Sequence, residues 1–129
     1  MSNERKDYKE DSKQHILSQL YGYGLPDGWC KSIVPNFVDE LVDTLGSLVE
    51  HFHITDCKEK FGSLRIYWYW NDDLFYENNE RILVSDKVDA VINKYEYIST
   101  KTCVKCGRLA TMHGNEYLAY CDICIRFTN

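Results

Sequence analysis

Two pairs of cysteines late in the sequence have the spacing of metal ligands. Each pair is a Cys-x-x-Cys motif, and fourteen residues separate the pairs, which are formed by Cys103, Cys106, Cys121 and Cys124. Two such turns facing each other supply the tetrahedral four-sulfur site that Zn²⁺ prefers. We therefore predict one structural zinc ion with these four ligands. Disulfides, which need an oxidising compartment, and four unrelated buried thiols are the alternatives.

A closed four-sulfur site stabilises a fold but leaves no coordination position open for water or substrate. We expect the ion to hold together a segment of roughly 25 residues, which is too short to form its own core. The sequence also lacks a glycine-rich phosphate loop, a His-Glu-x-x-His motif and a zinc-deaminase signature. We therefore predict that the protein is not an enzyme.

Two other groups of residues allow different interpretations. His51 and His53 lie on one side of a predicted strand and could ligate a second metal, although such histidines more often pack or form hydrogen bonds. Cys57, with His53 and Glu59, could act as a nucleophile with a base and an orienting group. No recognised nucleophile motif accompanies Cys57, so neither interpretation changes the prediction of a non-catalytic protein.

The chain is acidic, with 15 Lys and Arg against 20 Asp and Glu and a formal net charge of −5. A tetrathiolate zinc site would make it more negative, which is the opposite of the usual balance in a nucleic-acid-binding protein. We expect a basic protein surface as the partner. The carboxylates expected to contact it lie on the long central helix and after the central strand: Asp39, Glu40, Asp43, Asp72, Asp73 and Glu77.

Direct nucleic-acid binding is the alternative. Four cations lie around the cysteine motifs, namely Lys101, Lys105, Arg108 and Arg126, and aromatic residues are interleaved with them. Zinc knuckles with this composition can stack bases. The same cations can instead offset the negative charge of the thiolates.

The compartment is predicted from what the sequence lacks. No apolar run is long enough to span a membrane, and residues 1–13 are charged and polar. We therefore expect a cytoplasmic protein with reduced thiols. Cys30 and Cys57, outside the motifs, are expected to be free and buried.

The elements that position these residues follow from apolar periodicity. Helices are predicted over residues 14–21, 34–50 and 79–98, with Ile82 and Leu83 among the inward residues of the last. Strands are predicted over residues 51–57, 64–70 and 117–120. Because aromatic residues fall on both faces of 64–70, we expect that strand to be central in the sheet or covered on both sides.

The predicted fold is α+β, with two main helices packed on a small antiparallel β-sheet and a C-terminal four-cysteine zinc knuckle. Residues 1–10 are expected to be a flexible N-terminus, residues 11–100 the core, and residues 101–129 a zinc-binding knuckle packed on it.

The stretch Lys-Glu-Lys-Phe-Gly-Ser-Leu-Arg at 58–65, followed by Cys-x-x-Cys-Gly and a second Cys-x-x-Cys, carries a resemblance. It resembles small proteins of bacteriophages and bacterial mobile elements that share this stretch before a strand and end in a zinc knuckle. The resemblance covers residues 52–70 and 102–125. The tryptophan-rich stretch typical before the second knuckle is replaced here by Asn-Glu-Tyr-Leu-Ala-Tyr at 115–120.

The resemblance implies a function in conflict between phage and host. Phage-borne acidic proteins of this size often disable a host defence by binding it, and metal-binding inhibitors of type II CRISPR nucleases (anti-CRISPR proteins) are similar in size and build. Such a nuclease offers a basic nucleic-acid channel that suits an acidic inhibitor. We therefore expect an inhibitor that blocks nucleic-acid loading in the host bacterial cytoplasm; the alternative is a zinc-knuckle nucleic-acid-binding or regulatory adaptor protein.

Overall fold

The computed structural model describes residues 2–71, 79–114 and 117–127. The helices are α1 Ser2–Leu20, α2 Asp27–Ser32, α3 Val34–Leu45 and α4 Asn79–Ser99. The strands are β1 Phe52–Lys60, β2 Ser63–Trp70, β3 Met112–His113 and β4 Ala119–Tyr120. Single 3₁₀ turns span Tyr21–Tyr23, Gly46–His51 and Cys124–Phe127. This confirms the predicted α+β fold, with helices packed on a small antiparallel sheet.

The β1–β2 hairpin is the main sheet. Its register runs from Phe52 opposite Trp70 to Lys60 opposite Ser63, with a bulge between Ile54 and Asp56. The two turn residues, Phe61 and Gly62, have φ values of +54° and +85°. A type I′ turn needs positive φ at both central positions, and its twist matches that of the strands. Phe61 adopts this conformation although it is not a glycine.

One face of the hairpin packs into a single core. Leu64, Ile66 and Trp70 of β2 are buried there with the apolar stripes of α3 and α4. The Phe37 ring of α3 meets the Tyr95 ring of α4 edge to face, with centroids 5.6 Å apart. Alternation in β2 and three- and four-residue spacing in the helices place these side chains on facing surfaces.

The opposite face of the hairpin is exposed, which corrects the prediction that β2 is central in the sheet or covered on both sides. Tyr67 and Tyr69 are 52% and 48% exposed. The sheet has two strands, and the buried residues of β2 all lie on its other face. In this strand, aromatic residues on both faces therefore do not mean that both faces are buried.

The inward face of α4 also differs from the prediction at its N-terminal end. Ile82 and Leu83 are exposed, whereas Arg81 is buried with its guanidinium 5.5 Å from the centre of the Trp70 ring. The buried stripe passes through Val88, and one heptad earlier on that stripe is position 81. Ile82 and Leu83 lie beside the stripe and face solvent.

Helix α1 begins at Ser2, twelve residues before the predicted start, so residues 2–10 of the expected flexible end are helical. The first half of α1 carries few apolar residues, and periodicity therefore detects only its second half. The glutamates, lysines and arginine of this half favour helix. Two ion pairs tie it to α3: Lys9 Nζ lies 3.2 Å from Asp43, and Lys13 Nζ lies 2.7 Å from Asp39.

Helix α3 ends five residues before the predicted boundary. Gly46, with φ of +55°, follows its last residue, and a 3₁₀ turn continues to β1. Among the described residues, no helix is long and apolar enough to cross a membrane.

Candidate metal centre

The four predicted cysteine ligands converge at one point. Ligand atoms of Cys103, Cys106, Cys121 and Cys124 all lie within 4.8 Å of one another. The sulfurs of Cys106 and Cys121 are 3.7 Å apart. Four sulfurs that each lie about 2.3 Å from a tetrahedral Zn²⁺ are about 3.8 Å from one another. The distance between the Cys106 and Cys121 sulfurs therefore already matches that of two ligands of one metal ion. The cluster therefore fits a structural metal site.

The backbone around the first pair is a tight knuckle. The Gly107 N–H donates to the Cys103 carbonyl at 3.0 Å, and the Cys103 N–H donates to the Arg108 carbonyl at 2.8 Å. Gly107 has φ of +83°, a conformation that glycine adopts without strain. These bonds close the turn and direct both sulfurs of the pair to the same side.

The second pair lies at the start of a 3₁₀ turn. The Cys124 N–H donates to the Cys121 sulfur at 3.3 Å, and the Ile125 N–H donates to the Cys121 carbonyl at 3.1 Å. The β3–β4 hairpin leads from one knuckle to the other, and the Val104 N–H donates to the Ala119 carbonyl at 2.9 Å. Backbone bonds thus hold the two knuckles face to face.

Backbone donors also favour the ligating form of two thiols. Burial alone would raise the pKa of Cys103, but the backbone N–H groups of Cys106, Cys121 and Lys105 lower it to about 6. The backbone N–H of Cys124 similarly lowers the pKa of Cys121. Thiolates are the metal-binding form of cysteine, so these donors favour metal binding at Cys103 and Cys121. The hydrogen bond between the Cys121 and Cys124 side chains instead raises the pKa of Cys124 to about 12.

The metal-site module, which we define as residues 101–127, docks on the core through α2. The Gly28 N–H donates to the Val104 carbonyl at 2.8 Å, and a Cβ atom at Gly28 would lie 2.0 Å from the Cys103 carbonyl oxygen. The buried Trp29 donates from Nε1 to the Thr102 carbonyl at 3.2 Å. The sequence analysis missed Gly28, whose only signal was its place in a turn-rich segment.

A second contact joins the module to the tip of the β1–β2 hairpin. A Cβ atom at Gly62 would lie 2.1 Å from the Tyr117 carbonyl oxygen. The rings of Phe61 and Tyr117 meet edge to face, with centroids 6.3 Å apart. The stretch at 58–65 and the cysteine module, the two parts of the resemblance, are therefore in direct contact.

The predicted partner-binding carboxylates of α3 form ion pairs within the chain. Asp39 pairs with Lys13, Asp43 pairs with Lys9, and Glu40 pairs with Lys94 of α4 at 2.5 Å. The hydrogen bond from Lys94 lowers the pKa of Glu40. These three carboxylates thus link three helices, and their contact with a partner stays a prediction. Asp72, Asp73 and Glu77 lie outside the described residues.

Cys57, the candidate nucleophile, lacks the properties of a reactive cysteine. Cys57 is 1% exposed, and burial raises the pKa of its thiol to about 12, so it stays protonated at neutral pH. Reactive cysteines need a lowered pKa and access to solvent. Cys30, which we expected to be buried, is exposed, and its thiol donates to the Leu25 carbonyl at 3.6 Å.

The remaining candidate residues, two histidines and four cations, are partly or fully exposed. His51 is half-buried and His53 is exposed with its ring 5.2 Å from that of Tyr69. Neither belongs to a metal-binding group among the described residues, where the four cysteines form the one cluster of this kind. The four cations near the cysteines, Lys101, Lys105, Arg108 and Arg126, are all exposed.

Comparison of the chain with protein-family models, curated proteins and solved structures finds no significant match. Function is therefore argued from the geometry of the site and of the surfaces around it.

Proposed function

We propose that this chain is a non-enzymatic binding protein whose metal-site module is held by one structural zinc ion. The convergence of four cysteine sulfurs within 4.8 Å is the observation that carries the proposal. Zinc is the ion that best suits four thiolates in a closed tetrahedron, and such a site leaves binding surfaces as the working part of the molecule. The high pKa of Cys57 further supports a non-catalytic protein.

Elemental analysis of the purified protein tests the metal. We expect one zinc per chain, with little iron. A chain that carries iron, or no metal when purified under reducing conditions with zinc supplied, would contradict the proposed cofactor.

For the partner, we propose a basic protein of a host defence system, most specifically a type II RNA-guided nuclease whose nucleic-acid loading the chain blocks in the bacterial cytoplasm. The resemblance of residues 52–70 and 102–125 supports this proposal, as does the formal charge of −5. Long-range attraction would speed encounter with a basic channel.

Co-purification with the nuclease, with and without its guide RNA, tests the partner directly. We expect a complex at moderate salt and reduced DNA cleavage when the chain is added before the DNA. Absence of a complex with either form of the nuclease would rule out this partner.

Two charge reversals on different helices test the binding face. Asp43→Lys changes the predicted acidic face of α3, and Asp86→Lys makes the same change at an exposed position of α4. If Asp43→Lys weakens binding and Asp86→Lys does not, the contact lies on α3. Equal effects would indicate that only the overall charge matters.

A further inference from the structure

The exposed face of the β1–β2 hairpin combines aromatic rings with positive charge. Tyr67 and Tyr69 of β2 project from this face, and the exposed His53 lies opposite Tyr69. Lys58 and Arg65 lie opposite each other further along the same face, and both are exposed. We call this surface the outer sheet face.

The outer sheet face is locally positive in an acidic protein. Among the described residues of this face, Lys58, Lys60 and Arg65 are accompanied by one carboxylate, that of Asp56, which pairs with Lys58 at 2.9 Å. Within the described part of the chain, no carboxylate lies within 4.0 Å of the charged groups of Lys60 and Arg65. Glu59 belongs to the other face, and its carboxylate accepts the Gly62 N–H at 2.7 Å. Two cations are thus available to an anionic ligand.

The aromatic rings are arranged for stacking. Tyr67 and Tyr69 are two residues apart on one face, which separates them by roughly 7 Å along the strand. A separation of this size lets each ring stack on a different base. The tip of the hairpin adds the exposed Phe61, with Lys60 Nζ 5.8 Å from the centre of its ring.

We propose that the outer sheet face binds single-stranded nucleic acid, with Tyr67 and Tyr69 stacking on bases and with Lys60 and Arg65 contacting phosphates. Sequence-tolerant single-strand binding combines these two features, a stacking surface and a row of cations. An acidic peptide would match the charges but would leave both tyrosine rings without a stacking partner. The site differs from the cations around the cysteines, and the inference does not depend on the proposed nuclease partner.

Fluorescence anisotropy with a labelled oligothymidine of twelve nucleotides tests the proposal on the full-length, zinc-loaded protein. We expect saturable binding at low salt. Two phosphate contacts predict a slope of about −1.4 in a plot of log K against log salt, so that raising salt from about 50 to about 200 mM weakens binding roughly sevenfold.

Matched variants locate the binding site. Tyr67→Ala and Tyr69→Ala should each weaken binding by about fivefold or more, because each removes one stacked base. Tyr21→Ala removes an even more exposed tyrosine outside the sheet and should leave binding unchanged. Arg65→Glu should weaken binding and flatten the salt slope, whereas Lys87→Glu, an identical charge change at an exposed position on α4, should have a much smaller effect.

Three outcomes would overturn the proposal. The first is no binding of the oligonucleotide at low salt. The second is binding that Lys105→Glu and Arg108→Glu abolish but the sheet variants do not, which would place the site on the metal-site module. The third is competition by polyglutamate as effective as that by unlabelled oligonucleotide, which would identify an acidic protein segment as the ligand. Circular dichroism and zinc content verify that each variant is folded.

Discussion

Gly28 is the point of closest approach between the core and the metal-site module. Its N–H donates to the Val104 carbonyl, and the Cys103 carbonyl occupies the place of a side chain. No other residue type fits this position, because even a methyl group would overlap backbone atoms that cannot rotate away.

We expect Gly28→Ala to destabilise the folded protein by about 2 kcal/mol or more, since α2 and the first knuckle must separate. Gly22→Ala is the matched control, because a Cβ atom at Gly22 has no neighbour within 4 Å. That change should alter the free energy of unfolding by less than about 1 kcal/mol. Urea unfolding monitored by circular dichroism measures both variants. Equal stabilities would show that the docking seen at Gly28 does not contribute to folding.

The cysteines give a second prediction at the scale of single residues. Cys103→Ser should lose the bound metal and the order of the metal-site module, because three sulfurs do not close the site. Cys30→Ser changes an exposed cysteine outside the cluster and should keep one metal ion per chain. Metal analysis after dialysis distinguishes the two. Retention of stoichiometric metal by Cys103→Ser would contradict the ligand assignment.

Single residues also show the limit of prediction from the sequence. The ligands were predictable because spacing alone places two thiols on one turn. The close contacts of Gly28 and Gly62 were not predictable. Their neighbours Cys103 and Tyr117 are more than fifty residues away along the chain, and such a contact leaves no periodic signal in the sequence.

At the scale of elements, ion pairs link α1, α3 and α4. Glu40 has a lowered pKa because Lys94 donates a hydrogen bond to it. A carboxylate whose pKa is lower in the folded state stabilises the fold above the pKa of the unfolded chain, about 4.3 for Glu, and loses this effect as the pH falls through the folded-state value.

Glu40→Gln should therefore lower stability at pH 7 by less than about 1 kcal/mol, since solvent screens a partly exposed pair. The difference from the unmodified protein should shrink as the pH falls below about 4. Glu50→Gln is the control, because Glu50 forms no ion pair among the described residues. The effect is measured from the unfolding midpoints of the unmodified protein and both variants at each pH. Because acid would release metal from all three proteins alike, they are compared at equal pH. A difference that does not shrink between pH 7 and pH 3 would rule out the Glu40–Lys94 pair as its cause.

Element boundaries were predictable where apolar residues mark them. The spacing of Phe37, Val38, Leu41 and Leu45 located α3, and alternation located β2. The first half of α1 carries no such marks. At the N-terminal turn of α4, Ile82 and Leu83 mislead about which face of the helix is buried. Packing against Trp70 decides which residue of that turn is buried, and this depends on the tertiary structure.

At the scale of the whole molecule, the metal site and the core are not independent. The module contacts α2 through Gly28 and Trp29, and it contacts the hairpin tip through Gly62. The sequence predicts that the ion holds together a segment of roughly 25 residues around the cysteine motifs. These contacts predict that metal removal also loosens α2 and the hairpin.

Hydrogen exchange before and after chelation tests this coupling. We expect faster exchange of the amides of residues 28–33 and 60–64 in the chelated protein, and recovery when zinc is added back. Residues 37–42 of α3, which pack within the helical core, should change least. Faster exchange confined to residues 101–127 would show that the module unfolds without affecting the core.

The contact between Gly28 and Val104 joins parts of the chain that are synthesised far apart in time. Helix α2 cannot complete its contacts with Thr102 and Val104 until that part of the chain has been translated. If the proposed ion is required to order these residues, a chain made in a metal-starved cell would leave Trp29 more accessible to proteases, and its abundance would follow the metal supply.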